Sequence, residues 1–411
     1  MAQKVVIAGA GHAAGQVVAT LRQKKFDGEI VLIGEESWLP YQRPPLSKKY
    51  LAGELPAERL HFKPPDFYDD PAVEVRLNTE IAAIHRVDHN IETASGDRVD
   101  YDKLVLALGS RARLLDVEGS DLDGVHYLRT IDDVDHIRRD LHVAKNVVIV
   151  GAGYIGLEVA AVTRQLGHNV TVIEMAGRVM SRVVSPAVSD FYQAQHTRHG
   201  VDLLLATGLG AFVGNDRVRA VKTSDGRTIP ADTVVVGVGI LPNTELAGTT
   251  GLDVDDGILV DDHCQTSDTD IFAVGDCTSH PNRIYGRRLR LESVHNALEQ
   301  AKTAAANICG EDAVYVQVPW FWSDQYDLKL QIAGISEGYE DAVVRGDPQA
   351  ASFSCLYLRA GRLIACDAIN APRDFVQSKA LIAERMTIDP RRLGDSGTQL
   401  KDLTWIESLT Q

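Results

Sequence analysis

The amino-acid sequence predicts an α/β protein made of two doubly wound units, the second inserted within the first, followed by a C-terminal α+β domain. Three observations carry this. The stretch VVIAGAGHAAGQVVA, residues 5–19, leads a β-branched run through a glycine-rich turn into a helix-like segment. A second copy, VVIVGAGYIGLEVA, stands at residues 147–160. From about residue 319 the strand–helix rhythm gives way to apolar–polar alternation around DLKLQIAG and a turn at Gly361, followed by a helix-like stretch near 373–385. That pattern reads as an antiparallel sheet with a helix.

Bulk properties set the frame. A chain of 411 residues, 45% hydrophobic and 24% charged, can bury two or three cores. It has no apolar run of the roughly 18 residues that would suggest a membrane span. Its start, MAQKVVIAGAG, enters a strand at once and has no signal-peptide pattern. The five cysteines (Cys264, Cys277, Cys309, Cys355, Cys366) are scattered without any CxxC pair. Neither a disulfide framework nor a metal site is expected, and a reducing cytoplasm fits best. A formal net charge of −15 argues against nucleic-acid and anionic-membrane partners.

The two glycine segments align as an internal repeat. Gly9 and Gly11 fall on Gly151 and Gly153, and the third fingerprint position is Ala14 in one copy and Gly156 in the other. In each copy a second strand follows, EIVLIGEE at 29–36 and NVTVIEMA at 169–176, and supplies an acid, Glu35 or Glu174. Glycines let the backbone turn tightly and approach a pyrophosphate, and a helix N-terminus offers N–H donors. A carboxylate about 20 residues on accepts bonds from ribose hydroxyls. Two such Rossmann-like units imply two dinucleotides, and two redox dinucleotides would let one reduce the other.

A third motif separates the two. TSDTDIFAVGDC, residues 266–277, places a strand at Ile271–Val274 before Gly275-Asp276. It resembles the second flavin fingerprint of flavoprotein reductases with two dinucleotide domains, in which this Asp holds the ribityl chain of FAD. LVLALGSRAR, 104–113, is similar to the strand and turn that leave the FAD domain there. By order, residues 1–113 and 246–318 form an FAD-binding domain, 114–245 an NAD-binding domain and 319–411 a C-terminal interface domain. Glu174 favours a free ribose 2′-hydroxyl and so NADH over NADPH, although Arg178 and Arg182 lie downstream.

Together YQRPPLSKKYL (41–51), GAGYIGLEVAA (151–161), TSDTDIFAVGDC, RLESVHNALEQA (290–301) and PWFWSDQY (319–326) resemble the NADH-dependent ferredoxin reductases of bacterial oxygenase systems, nearly end to end and in the family's order. The resemblance implies FAD contacts from the first glycine turn with Ala13, and from Glu35, Lys48, Ile81, Arg129, Asp276 and Val294. It implies that the turn Gly151–Glu158, with Tyr154, Ile155 and Gly156, receives NADH, with Glu174 on the ribose. Arg43 is read either as a further FAD-phosphate contact or as a solvated arginine. Trp322 is read either as a neighbour of the isoalloxazine or as core, and Trp320 as core. Lys48 occupies the family's position for a cation beside the isoalloxazine, where it would stabilise the charge a hydride brings. Glu158 matches the acid that pairs with this lysine. These two are the candidate catalytic residues, with a surface lysine and a helix-surface acid as the plain alternatives.

Disulfide reductases of similar architecture carry cysteines shortly after the first ribose acid, but this chain has none before Cys264. Cys277 reads as small packing. Electrons would therefore leave a flavin directly, which suits a one-electron 2Fe–2S ferredoxin. The cysteine spacing leaves no cluster for this chain itself. Rubredoxin, a quinone or monodehydroascorbate are alternative acceptors. A flavin-dependent interaction protein of the apoptosis-inducing-factor type would favour a basic surface and targeting extensions, and neither is read here. For docking an acidic ferredoxin the basic candidates are Arg283, Arg287, Arg288 and Arg290, then Lys329, Arg373, Lys379, Arg391 and Arg392. The resemblance implies a monomer.

Overall fold

The computed structural model describes residues 3–385, 387–388 and 390–403. Contacts gather the chain into two units. One is built from the N-terminal segment up to Arg43 with Ala57–Arg111 and Ile240–Pro319. The other comprises Pro44–Pro56, Ala112–Gly239 and the chain from Trp320 onward.

In the first unit a five-stranded sheet runs in the order Ile271–Ala273, Lys103–Leu106, Lys4–Ala8, Glu29–Ile33, Val73–Arg76, all parallel. Its central strand explains the unbroken apolar run in the sequence, since Val5, Val6, Ile7 and Ala8 are all buried and a parallel sheet is covered on both faces. Val5 and Ile7 meet the helices His12–Gln23 and Val294–Ile308, where small residues (Ala14, Ala301, Ala304, Ala305) permit close helix packing. Val6 and Ala8 join the opposite core with Ile84, Ile91 and Val99 of an antiparallel sheet, Ile81–His85, Asn90–Thr93 and Arg98–Asp100.

The second unit repeats the plan. Its parallel sheet has the order Val201–Leu204, Asn169–Ile173, Asn146–Val150, Thr233–Val236, Val125–Tyr127. The helix Tyr154–Gln165 follows the central strand. The same unit holds a five-stranded antiparallel sheet, Trp320–Gln325, Leu328–Gly334, Arg362–Ile369, Ser352–Arg359 and Asp341–Asp347 in spatial order, with the helix Pro372–Ala383. Segment 44–56 belongs with this unit because Tyr50 Oη donates to Asp135 at 2.7 Å and Lys48 pairs with Glu158. The motif YQRPPLSKKYL is thus divided after Arg43. The repeat shortens both acid-bearing strands relative to the sequence reading. Glu174 directly follows its strand, whereas Glu35 lies two residues beyond Ile33.

Arg345 fastens the end of the described chain. It is buried, pairs with Asp374 at 3.1 Å and donates to the carbonyls of Leu393, Asp395 and Thr398. Removing it leaves the half-buried Asp374 carboxylate without its cation, although Ser354 Oγ still donates to it at 2.8 Å, and three carbonyls without the guanidinium. We expect Arg345→Ala to cost about 3 kcal/mol in urea unfolding. An unchanged unfolding midpoint would count against this role.

Candidate functional site

Each glycine turn is shaped by two different requirements. Gly9 (φ +111°) and Gly151 (φ +103°) adopt the left-handed region, and an added Cβ would lie 2.3 Å from the Ala107 carbonyl oxygen or 2.4 Å from that of Gly237. Gly11 and Gly153 cap the two helices, and a Cβ there would meet nothing within 4 Å. Both caps are glycines, so neither offers a side chain to the first-turn amides of its helix. Open space beside a glycine-capped helix N-terminus fits a pyrophosphate at both turns. At the third position Gly156 is required, because a Cβ would stand 2.1 Å from the Gly151 carbonyl oxygen. Ala14 is fully buried in the first copy without such a clash, and the close contact moves to Gly15, against Phe62 and Pro40.

The acids differ. Glu174 is half-buried and accepts from the Ala152 amide at 2.7 Å and the Ala176 amide at 2.8 Å, which fixes its carboxylate at the glycine turn. Arg178 is turned into its own loop, donating to the Val184 and Ser181 carbonyls and to Ser189 Oγ. Glu35 is exposed. Its neighbour Glu36 accepts from Tyr41 at 2.6 Å and pairs with Arg43 at 2.5 Å. Arg43 is therefore half-buried rather than solvated. Burial works against its charge, but Tyr41, Glu36 and Asp276 outweigh that and raise its pKa.

In the first unit Asp276 accepts from Ser110 Oγ at 2.9 Å, and Gly275 beside it (φ +87°) donates its amide to Gln300 Oε1 at 2.8 Å. An added Cβ on Gly275 would touch Ala13 at 3.4 Å, so these two candidates converge on the first glycine helix. Val294 opens the helix that Ser293 caps, and Ile81 begins its strand half-buried against the sheet core. Arg129 lies in the second unit, its amide donating to the Asp133 carboxylate at 2.9 Å beside the Thr130–Asp133 capping box.

The second unit brings Lys48 and Glu158 together. Lys48 Nζ stands 2.7 Å from Glu158 Oε2 and 3.2 Å from the Pro44 carbonyl. Glu158 is only 4% exposed and accepts further bonds from Ser47 Oγ and, at 2.6 Å, from Ser323 Oγ. It is therefore not a helix-surface acid. The two serines were missed in the sequence reading. The available signals were Ser47 preceding Lys48 and Ser323 following Trp322. Tyr154 packs edge-on against Phe321 at 5.0 Å. Ile155 is exposed. Trp322 is half-buried and tilted over Trp320 at 5.6 Å, and Trp320 is also half-buried, against Phe375. Nearby in the sheet Asp367 is fully buried and accepts from Tyr357 Oη. Among the described residues its Oδ1 has no hydrogen-bond partner. Burial, partly offset by the Tyr357 bond, pushes its pKa up to about 7.

All five thiols are free, and burial raises the pKa of each. Cys277 is fully buried and shifted to about 11, a packing residue. The basic stretch is largely matched by local acceptors. Arg283 pairs with Asp262, Arg290 with Asp256 and Glu292, and Arg288 donates to the Val260 and Ser279 carbonyls. Lys379 lies over the Trp320 ring at 5.5 Å. Among the described residues no helix is long and apolar enough to cross a membrane.

Two family models match the chain. The family described as pyridine nucleotide-disulphide oxidoreductase matches residues 3–301, and the one described as reductase C-terminal matches residues 320–404. The chain is 45% identical to the 5,5'-dehydrodivanillate O-demethylase ferredoxin reductase subunit of Sphingobium sp., an alignment covering 97% of this chain and 98% of that one. It is 42% identical to the putidaredoxin reductase of Pseudomonas putida, covering 97% and 96%. A chain in the crystal structure of the covalent putidaredoxin reductase–putidaredoxin complex superposes with a TM-score of 0.94 at 42% identity, covering 97% of both.

Asp367 yields a pH test. Its folded pKa of about 7 lies above the ordinary carboxyl value of about 3.9, so the folded state holds the proton more tightly. The stability this contributes is present below about pH 4 and is lost as pH rises through about 7. We expect Asp367→Asn to raise the urea midpoint at about pH 8 and to leave it near wild type at about pH 4. A lower midpoint at about pH 8 would contradict this.

Proposed function

The chain belongs to the pyridine nucleotide-disulphide oxidoreductase family, and from that premise we propose that it is an NADH-dependent, FAD-containing ferredoxin reductase of the cytoplasm. It takes a hydride from NADH and passes single electrons to a 2Fe–2S ferredoxin that supplies a monooxygenase or dioxygenase. The observation that carries this reading within so named a family is the state of the cysteines. All five are free, all are held toward the thiol form by burial, and none lies before Cys264. A thiol relay has no residues to run on, so electrons must leave from the flavin itself.

FAD, when bound, accepts the hydride pair and releases electrons singly. In the proposed assignment residues 1–113 and 246–318 hold it, through the turn Gly9–Ala14 with Glu35, Arg43, Ile81, Asp276 and Val294. Lys48, Arg129 and Trp322 complete the set. Residues 114–245 hold NADH, with the amides after Gly153 on the pyrophosphate and Glu174 on the ribose. On a ribose held at this turn Glu174 would oppose a 2′-phosphate by like charge, and Arg178, engaged by its own loop, would not offset it. Lys48 would supply positive charge beside bound FAD, and Glu158 holds its ammonium in place. Residues 319–411 contribute to the ferredoxin dock.

Anaerobic titration of the yellow protein with each nicotinamide nucleotide, followed by stopped-flow mixing with 2Fe–2S ferredoxins, tests this reading. We expect complete bleaching by NADH, bleaching at least about tenfold slower by NADPH, and rapid ferredoxin reduction. Equal rates with NADPH would overturn the role of Glu174. Fast quinone turnover without ferredoxin reduction would overturn the partner.

A further inference from the structure

Behind Glu158 lies a row of buried polar side chains that the proposed chemistry does not yet use. Glu158 Oε1 accepts from Ser323 Oγ at 2.6 Å, and Gln325 Nε2 lies 3.1 Å from the same Ser323 oxygen. Gln325 Oε1 is 2.8 Å from His196 Nε2, and His196 Nδ1 is 3.3 Å from Tyr326 Oη. Ser323 and His196 are fully buried and Gln325 is 1% exposed. The row ends where the Tyr326 ring stacks on the exposed His199 at 3.7 Å.

Starting from Glu158, whose carboxylate can only accept and so takes the Ser323 proton, the sense of every bond follows. An amide oxygen can only accept, so His196 carries a proton on Nε2. Its Nδ1 is then the acceptor for the Tyr326 hydroxyl. An amide nitrogen can only donate, so the Ser323 oxygen accepts from Gln325 and its single proton goes to Glu158. All four bonds donate in one direction, toward the carboxylate. Burial lowers the His196 pKa to about 4, which keeps the ring neutral near pH 7 as this sense requires.

The local fold explains how the row is assembled. Ser323 and Gln325 are alternate residues on the strand Trp320–Gln325, so their side chains share one face. Tyr326 follows at φ +56°, in the tight turn before Leu328–Gly334. His196 comes from the last turn of the helix Pro186–Arg198. A serine hydroxyl alone is a free rotor that could turn to another acceptor. With Gln325 donating to its oxygen, the one orientation left is toward Glu158.

We propose that Ser323, Gln325, His196 and Tyr326 are positioning residues for Glu158, a one-directional hydrogen-bond chain that holds its carboxylate in the orientation that meets Lys48. The proposal rests on the reading that Glu158 and Lys48 serve the hydride step.

The test uses the full-length holoenzyme. With 15N-labelled histidine, and His196→Asn to assign the signal, His196 should be neutral and protonated at Nε2 at about pH 7. A cation, or a ring protonated at Nδ1, overturns the chain. Anaerobic stopped-flow reduction by NADH then compares Gln325→Leu, Ser323→Ala, Glu158→Gln and the Gln325→Leu, Glu158→Gln double variant. Ser323→Ala removes a single oxygen and serves if Gln325→Leu does not fold. Each of the first two should slow the limiting rate about tenfold with unchanged half-saturation by NADH, and the double variant should be no slower than Glu158→Gln alone. Effects that multiply, or wild-type rates in Gln325→Leu and Ser323→Ala beside a slow Glu158→Gln, overturn positioning. A wild-type rate in Glu158→Gln overturns the reading of Glu158 itself and the purpose of the chain with it.

Discussion

A carboxylate that stays ionised inside a protein must be paired and hydrogen-bonded, or it takes up a proton instead. Glu158 imposes that condition on the second unit. It sits on the helix that follows the second glycine turn, and its donors come from two other stretches of chain, Ser47 and Lys48 on one side and Ser323 on the other. Satisfying one acid therefore ties segment 44–56 and the first strand of the C-terminal sheet to the nucleotide helix. Lys48, in turn, is held by Glu158 and the Pro44 carbonyl at a set position. A lysine so placed can act as a fixed charge rather than a mobile one.

The two glycine turns share one backbone solution. In both, the first glycine is demanded by the carbonyl of a neighbouring strand end, Ala107 or Gly237, and beside the second a Cβ would meet nothing within 4 Å among the described residues. The copies diverge at their acids. Glu174 is locked to the turn by two backbone amides, while Glu35 is left exposed and Glu36 is taken up by Arg43 and Tyr41. A locked carboxylate discriminates between a hydroxyl and a phosphate more sharply than a mobile one, because it cannot swing away from the added charge.

Local signals carried most of the fold into view. The first helix occupies His12–Gln23 and the second begins at Tyr154, both opened by the glycine turns that announce them. The all-buried strands read as apolar runs because both faces are covered, and the alternation in the last segment reads as antiparallel for the opposite reason. What stayed hidden was whatever depends on distant pairing. Ser323, Gln325 and His196 look like ordinary polar residues in their own windows, and only the folded chain lines them up behind Glu158. The arginines of 283–290 looked like a cationic patch because Asp262 and Asp256, which pair with two of them, lie on a separate stretch of chain. Charge runs in a sequence do not reveal their counter-ions.

In the proposed function electrons pass from nicotinamide to an iron–sulfur partner with no thiol in the path. The most direct measurement is the stoichiometry of anaerobic ferredoxin reduction by limiting NADH, before and after alkylation of every accessible thiol on the reductase. Two ferredoxins should be reduced per NADH in both cases, since a hydride carries two electrons and the partner accepts one. Loss of electron transfer on alkylation, with NADH still able to bleach the flavin, would contradict it.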